Sequence, residues 1–345
     1  MIPTLSAAYG AAVAWRRRQY ERHPLRRHQL RQPVVSVGNL RVGGSGKTPI
    51  VEYLARLLID AGERPAILTR GYARRSPRDG ATVVSDGTRI LASLDAAGDE
   101  PLMLARAVPR AIVVVGANRY VDGLVAERRL GATVHLLDDG FQHFELARDV
   151  DLLLASDEDL TDRPLPAGHL RERLEAAGRA DAVLVTATYQ TAAERIARAL
   201  HVATAFRVTR TIGAPRMIAG ARETVVVPPE SRVFLVTGIA RPERFEADIA
   251  AAGWQIAGAL SFRDHHPFHA RDIKRISAAA QAARSAIVLT TEKDAVRLGA
   301  HDLGDLPIAS VPLLVGVEPA DAFRDWLLAR IQHLAPGTRH PAPKQ

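Results

Sequence analysis

Residues 34–48 read VVSVGNLRVGGSGKT, and their types and spacing suit phosphate chemistry. The β-branched, mostly apolar run at 34–37 reads as a strand, and the glycines at 43, 44 and 46 read as a turn. Beyond Thr48, the apolar residues Ile50, Val51, Leu54, Leu57 and Leu58 recur at helical spacing. Strand, glycine loop and helix together are the setting of a P-loop. There, backbone N–H groups crowd around phosphate oxygens at the positive end of a helix. Lys47 would reach the β- and γ-phosphates, and Thr48 would offer its hydroxyl to Mg²⁺. The nucleotide-contact set is Arg41, Val42, Gly43, Gly44, Ser45, Gly46, Lys47 and Thr48. Arg41 stands where the full pattern asks for glycine, and Val42 where a related loop carries a second lysine. A glycine-rich loop without a nucleotide is the plain alternative. The scarcity of lysine (four, against forty-two arginines) argues for a purposeful Lys47.

Three further stretches carry titratable groups. Asp138 and Asp139 end an apolar strand at 133–137, where an acid in a P-loop enzyme holds Mg²⁺ or its water shell. Asp-Asp-Gly is also ordinary turn chemistry. Gly98-Asp99-Glu100-Pro101 opens a helix, with Asp99 near its N-cap. As a general base, Asp99 would need a partner to orient it or take the proton. Asp264-His265-His266-Pro267-Phe268-His269 gathers three histidines, but Pro267 prevents a regular helix that would set His265 and His269 on one face. A loop with capping histidines is the alternative there.

Alternating elements must position these groups. Short apolar strands are expected at 66–69, 111–115, 133–137, 150–155 and 182–186, with helices at 102–108 and 119–129. That rhythm predicts an α/β fold: a P-loop NTPase-like, doubly wound, mainly parallel sheet. Ligands in such sheets bind at the C-terminal strand ends. Near 206–227 the pattern turns into an extended connector, and a second, smaller α/β unit starts at 233. The expected division is an N-terminal membrane-associated helix and basic segment at 1–31, a P-loop core at 32–207, an extended linker at 208–227, a second α/β domain at 228–334 and a disordered tail at 335–345.

Composition bounds the partners. No cysteine is present, which excludes disulfides and thiolate metal sites. The net charge of +8 invites an acidic partner, but aromatics are 5% and no basic stretch interleaved with them resembles an RNA-binding sheet. Residues 5–15, LSAAYGAAVAW, are small and apolar, and arginines crowd 16–31. Eleven helical residues span roughly 16 Å, about half of a hydrocarbon core, so this segment does not span a membrane. An apolar helix followed by arginines suggests docking on an anionic leaflet, and an ordinary packed helix with a solvated basic face is the alternative.

Taken together, the motifs resemble the tetraacyldisaccharide 4'-kinase family. The segments are VGNLRVGGSGKTP (37–49), LTRGYARRS (68–76), GDEP (98–101), VGANR (115–119), LDDGFQH (137–143), LPAGHLRE (165–172), ADAVLVT (180–186), VTGIARPERF (236–245), FRDHHPF (262–268) and LTTEKDAVRL (289–298). The resemblance implies transfer of the ATP γ-phosphate to the 4'-hydroxyl of a lipid A disaccharide 1-phosphate, with Mg²⁺. It implies Thr48, Asp138 and Asp139 at the metal, Lys47 at the phosphates, and Asp99 with His265 as a catalytic pair, Asp99 being the base. Tyr72, Asn118, Arg119, His143, Arg171 and Glu172 would line the cleft. It also implies a monomer at the cytoplasmic face of the inner membrane, with no nucleic-acid partner. Ala73, His169 and Arg173 depart from the family pattern and affect loop geometry. The rival function is a membrane-associated P-loop ATPase switch, which has no use for Asp99 or His265.

Overall fold

The computed structural model describes residues 2–43, 46–71, 74, 76, 80–218 and 224–332. Gly44, Ser45 and Tyr72 of the expected site, and the expected tail at 335–345, lie outside the described residues.

The strands in chain order are β1 (Val34–Asn39), β2 (Pro65–Thr69), β3 (Thr82–Asp86), β4 (Ile112–Val115), β5 (Val134–Asp138), β6 (Val150–Ala155), β7 (Ala182–Thr186), β8 (Ala205–Ile212), β9 (Arg216–Met217), β10 (Arg232–Thr237), β11 (Gln255–Ser261), β12 (Ile287–Thr291), β13 (Ile308–Val311) and β14 (Leu313–Glu318). The helices are α1 (Ile2–Arg22), α2 (Lys47–Asp60), α3 (Leu94–Ala97), α4 (Asp99–Ala107), α5 (Arg119–Leu130), α6 (Asp157–Thr161), α7 (Gln190–Ala199), α8 (Pro242–Ala251), α9 (Ala270–Ala282), α10 (Glu292–Leu298) and α11 (Ala320–Gln332).

Nine strands form one sheet in the order β14-β8-β7-β6-β1-β5-β2-β4-β3. Its seven inner strands are parallel, and β3 and β14 close the two edges antiparallel. Every residue of β1 is buried, as a strand covered on both faces must be. Val35 and Val37 pack with Ile50, Leu54 and Leu58 of α2 and with Leu104 of α4. Val34 faces the other way, toward Leu30 and Ala126 of α5. Helices therefore cover both faces, as the alternation predicts. The second sheet has the order β11-β10-β12-β13-β9 and its own apolar layers.

Two boundaries differ from the sequence reading. The connector begins as a true strand, β8, inside the large sheet. The last strand and helix, expected with the second unit, return to the first: β14 pairs with β8, and Phe323, Leu327 and Ile331 of α11 join the core of the large sheet. The physical reason is the exposed edge of β8, which β14 covers.

The N-terminal helix is longer than its apolar stretch and takes in the first arginines. Arg17 corrects the reading of that cluster as a membrane-facing surface. It is 4% exposed, and Glu172 is 2% exposed. Arg17 donates through Nε to Glu172 Oε2 (2.8 Å) and through Nη2 to Oε1 (2.7 Å). Its guanidinium lies over the rings of Phe141 and Phe144. Ser6 donates to the Pro164 carbonyl (2.6 Å), so α1 is tied along its length to the loop at 164–173.

Removing one member of a buried ion pair strands the other, at about 3–5 kcal/mol. Arg17→Met should lose that much in urea unfolding, because only the Gln142 amide would still donate to the Glu172 side chain. Arg17→Met with Glu172→Gln should recover most of the loss. A double variant as unstable as Arg17→Met would show that the ion pair is not what anchors α1.

Candidate active site

Chain order separates the P-loop from the acidic strand end by about ninety residues, and sheet pairing brings them together. Strand β5 lies directly beside β1, with Val37 opposite Asp138. The chain leaving β1 turns through Gly43 (φ 97°) and Gly46 (φ 79°), conformations that glycine adopts freely, and enters α2 at Lys47. Lys47 Nζ donates to Asn39 Oδ1 (3.0 Å) and lies 3.4 Å from Asp139 Oδ1. Arg171 Nη1 donates to both Asp139 oxygens, at 2.8 and 2.7 Å. Asp139 itself sits at φ 58°, a left-handed backbone that aspartate tolerates better than most residues.

The two aspartates are therefore opposites. Burial pushes Asp139 up, but Lys47 and Arg171 outweigh it and hold the carboxyl below the usual range. Among the described residues, the Asp138 side chain has a long hydrogen bond from Thr69 Oγ1 (3.3 Å). Burial raises it to about 7, the Glu100 and Asp139 carboxylates add to the rise, and Lys47 and Arg119 oppose it.

The second titratable pair is assembled from elements 166 positions apart in sequence. Asp99 opens α4 of the large sheet, and His265 sits in the loop between β11 and α9 of the small one. Helices α4 and α10 pack against each other there. His265 Nδ1 and Asp99 Oδ2 are 2.9 Å apart. Asp99 Oδ1 accepts from the Glu100 amide (2.9 Å). The Asp99 hydrogen bond raises the His265 pKa above the ordinary value, and burial opposes it. Burial pushes Asp99 upward, but His265, Lys293 and Arg297 outweigh it and leave the carboxyl lowered. His265, like Asp139, has a left-handed backbone (φ 56°), and such positions gather at functional sites.

One cavity of about 430 Å³ joins the two constellations. Gly43, Gly46, Lys47, Thr48, Asp138, Asp139, Arg119, Arg171 and His265 all line it. Asp99 does not: it lies behind His265, 5% exposed. The remaining expected residues sit elsewhere. Arg41 and Val42 line an adjoining cavity, and Arg41 is paired with Glu158 and Asp162. Asn118 Oδ1 caps α5 by accepting from the Tyr120 and Val121 amides. His143 is drawn down to about 4 by burial and by Arg119, Arg70, Arg148 and Arg16. Glu172 is not brought to the cavity; it anchors Arg17.

Several lining residues escaped the sequence reading: Arg70, Glu100, Arg241, Arg244 and Lys293. Arg70, Glu100, Arg241 and Lys293 fall inside the motif segments, and Lys293 also stood out as one of only four lysines. Arg244 falls inside one as well, VTGIARPERF (236–245).

Asp138 ionises less readily in the fold than in the unfolded chain. Its burial therefore weakens the protein most above pH 7, and the penalty fades as pH falls toward 4. In protein free of metal and nucleotide, Asp138→Asn should raise Tm by several degrees at pH 8 and by little at pH 4. Thermal melts at both pH values check this; equal shifts at the two would exclude a titrating Asp138.

A family model described as LpxK, tetraacyldisaccharide-1-P 4'-kinase, matches residues 1–332. The tetraacyldisaccharide 4'-kinase of Geobacter metallireducens is 40% identical over 302 residues, covering 87% of this chain and 88% of that protein. That of Desulfotalea psychrophila is 38% identical over 315 residues, covering 89% of each. Among solved structures, the "apo" form of LpxK from Aquifex aeolicus in complex with ATP aligns at TM-score 0.76 and 33% identity, over 95% of this chain and 98% of that one. Matched along its described length in sequence and in fold, this chain belongs to the tetraacyldisaccharide-1-P 4'-kinase family.

Proposed function

We propose that this chain transfers the γ-phosphoryl group of ATP, with Mg²⁺, to the 4'-hydroxyl of tetraacyldisaccharide 1-phosphate in lipid A biosynthesis. The observation that carries the reading is the single cavity with Lys47 and Thr48 on one wall and His265 on the other. Phosphates fit the P-loop side, where Gly43 and Gly46 leave room for close approach and α2 begins. The donors also suit magnesium: the Thr48 hydroxyl and the Asp138 and Asp139 carboxylates are hard oxygen ligands, and magnesium needs only one or two carboxylates beside phosphate oxygens and water. Bound there, Mg²⁺ neutralises charge on the phosphate oxygens.

The chain's own residues do the rest. Lys47 and the loop amides stabilise charge on the transferring group. Exposure orders the pair differently from the sequence expectation of Asp99 as the base. A hydroxyl in the cavity meets His265 first, so His265 Nε2 takes its proton while Asp99 holds Nδ1 and steadies the imidazolium. A loose transition state asks little of a base beyond position. We assign Arg119 and Arg171 to the acceptor side, together with Tyr72, Asn118 and His143 on the strength of the family motifs alone. Glu172 acts at one remove, through Arg17. We read the two sheets as two lobes, 32–212 with 313–332 and 216–311, which close on one another within a monomer.

The acceptor's acyl chains call for a membrane-facing surface. Leu5 (59% exposed) and Trp15 (64% exposed) on α1, with Arg18, Arg22, Arg26 and Arg31, suit docking on the anionic cytoplasmic face of the inner membrane. Among the described residues no helix is long and apolar enough to cross a membrane.

Incubation with γ-labelled ATP and the disaccharide 1-phosphate should move label into the lipid, and Lys47→Ala should slow this by orders of magnitude in folded protein. Label released only as inorganic phosphate would favour an ATPase switch. Asp99→Ala and His265→Ala should each slow transfer strongly, with the double variant little worse than the worse single one; additive losses would separate the two residues. Deleting residues 1–31 should release the protein from anionic vesicles, and salt should weaken the binding of the intact chain. Equal binding with and without the segment would remove α1 as the docking element.

A further inference from the structure

Around His265 the charges do not balance by themselves. Asp99 approaches the ring from α4, Asp264 from its own loop and Lys293 from α10, with Arg297 beside Asp99 and Glu100 beside Lys293. Two carboxylates draw protons toward a ring that can serve as a base only while neutral, and Glu100 stands one contact further out. Lys293 sits in their midst. Its Nζ is 3.2 Å from Glu100 Oε1, 3.3 Å from Asp264 Oδ1 and 3.1 Å from His265 Nε2. No other residue described here touches both lobes and the imidazole in this way. Its position also runs against local preference, since a cation in the first turn of α10 opposes the helix dipole. Lysine is rare in this chain, yet two of its four lysines, Lys47 and Lys293, line the same cavity. A compact ammonium with three rotatable donors can serve three acceptors at once, which a planar guanidinium fork does less well.

An ammonium has only protons to give. At 3.1 Å from Nε2 it must donate, so that nitrogen carries a lone pair and the ring's one proton sits on Nδ1, facing Asp99. We propose that Lys293 is a positioning residue for the phosphoryl transfer described above: seated between Glu100 and Asp264, it keeps Nε2 of His265 unprotonated and available to the acceptor hydroxyl. The hydroxyl takes the place of the ammonium at Nε2, and Glu100 and Asp264 retain the displaced charge. The electrostatics agree in sign. Lys293 lowers the His265 pKa against the upward pull of Asp99 and Asp264. Burial disfavours the ammonium, but Glu100, Asp99 and Asp264 outweigh it and hold Lys293 charged. The proposal rests on the kinase reading only for its catalytic consequence, because the state of the ring can be read without any substrate.

The test is ¹⁵N NMR of the imidazoles in ligand-free protein, with His265 assigned by its loss in His265→Gln. Wild-type His265 should be neutral at pH 8 with its proton on Nδ1. Lys293→Met should raise its pKa and populate Nε2–H near neutral pH, and Lys293→Arg, which keeps the charge, should restore much of the wild-type titration. If Lys293→Met does not fold, Lys293→Gln removes the charge while keeping an N–H donor, and the same shift is expected. An unchanged tautomer and titration in the charge-free variant would overturn the proposal. In turnover, Lys293→Met should lower kcat roughly 10²-fold and move the acid limb of the rate profile to higher pH, with KM for ATP nearly unchanged. A raised KM for ATP beside an unshifted limb would make Lys293 a nucleotide ligand instead. The expected NMR shifts in a protein that never labels the lipid would keep the positioning role and remove the kinase reading.

Discussion

The carboxylate of Asp139 is the junction on which the rest of the cavity depends. Lys47 reaches it from the P-loop and Arg171 from the 164–173 loop, so one anion fixes two of the cations that line the cavity. The chain of contacts continues outward. Arg171 Nη1 also lies 3.4 Å from Gln142 Oε1, Gln142 donates to Glu172, and Glu172 holds Arg17 of α1. Helix α1 and Lys47 are thus linked through four side chains. Each link is charged or charge-assisted, and those nearest Arg17 are buried, where such contacts are strongest.

Beside this network, Asp138 is left with little compensation. It shares its surroundings with Glu100 and Asp139 and is buried, so the unliganded fold carries a carboxylate that resists ionisation at neutral pH. Under the proposed function, stability and ligand binding pull in opposite directions there. A fold selected only for stability would place an amide or an apolar group at that strand end, whereas a site for a divalent cation and phosphates requires the anion.

The small sheet contributes further charged groups to the cavity. Its loop at 262–268 and its helix α10 bring His265, Lys293 and Arg297 against the start of α4. Ion pairs therefore join the lobes beside the apolar seat of Val296, and any motion that parts the sheets breaks Asp99–His265 and Glu100–Lys293 together. Opening would expose four titratable groups to water at once, which ties the geometry of closure to the protonation state of the imidazole.

Much was legible in the residues themselves. The P-loop, the acidic strand end and the strand–helix rhythm are local signals, written in turn-forming glycines, in periods of 2 and 3.6 and in short motifs, and they place Lys47 and Thr48 where a glycine loop enters a helix and Asp138 and Asp139 at a strand end. What they could not carry was pairing. That β5 rather than β2 lies beside β1, that β14 returns to cover β8, that Arg17 turns inward to Glu172, and that Lys293 meets His265 Nε2 are contacts between positions from about one hundred to more than one hundred and fifty apart, or between side chains whose neighbours depend on how two sheets meet. Periodicity records which face a residue turns to the core; it holds no information on which strand will stand alongside. The sequence by itself determined the chemistry available to this protein. The packing of its two sheets decided which groups face the cavity, leaving Asp99 behind His265 and Glu172 beneath α1, because only close packing sets which of two neighbouring charges reaches solvent.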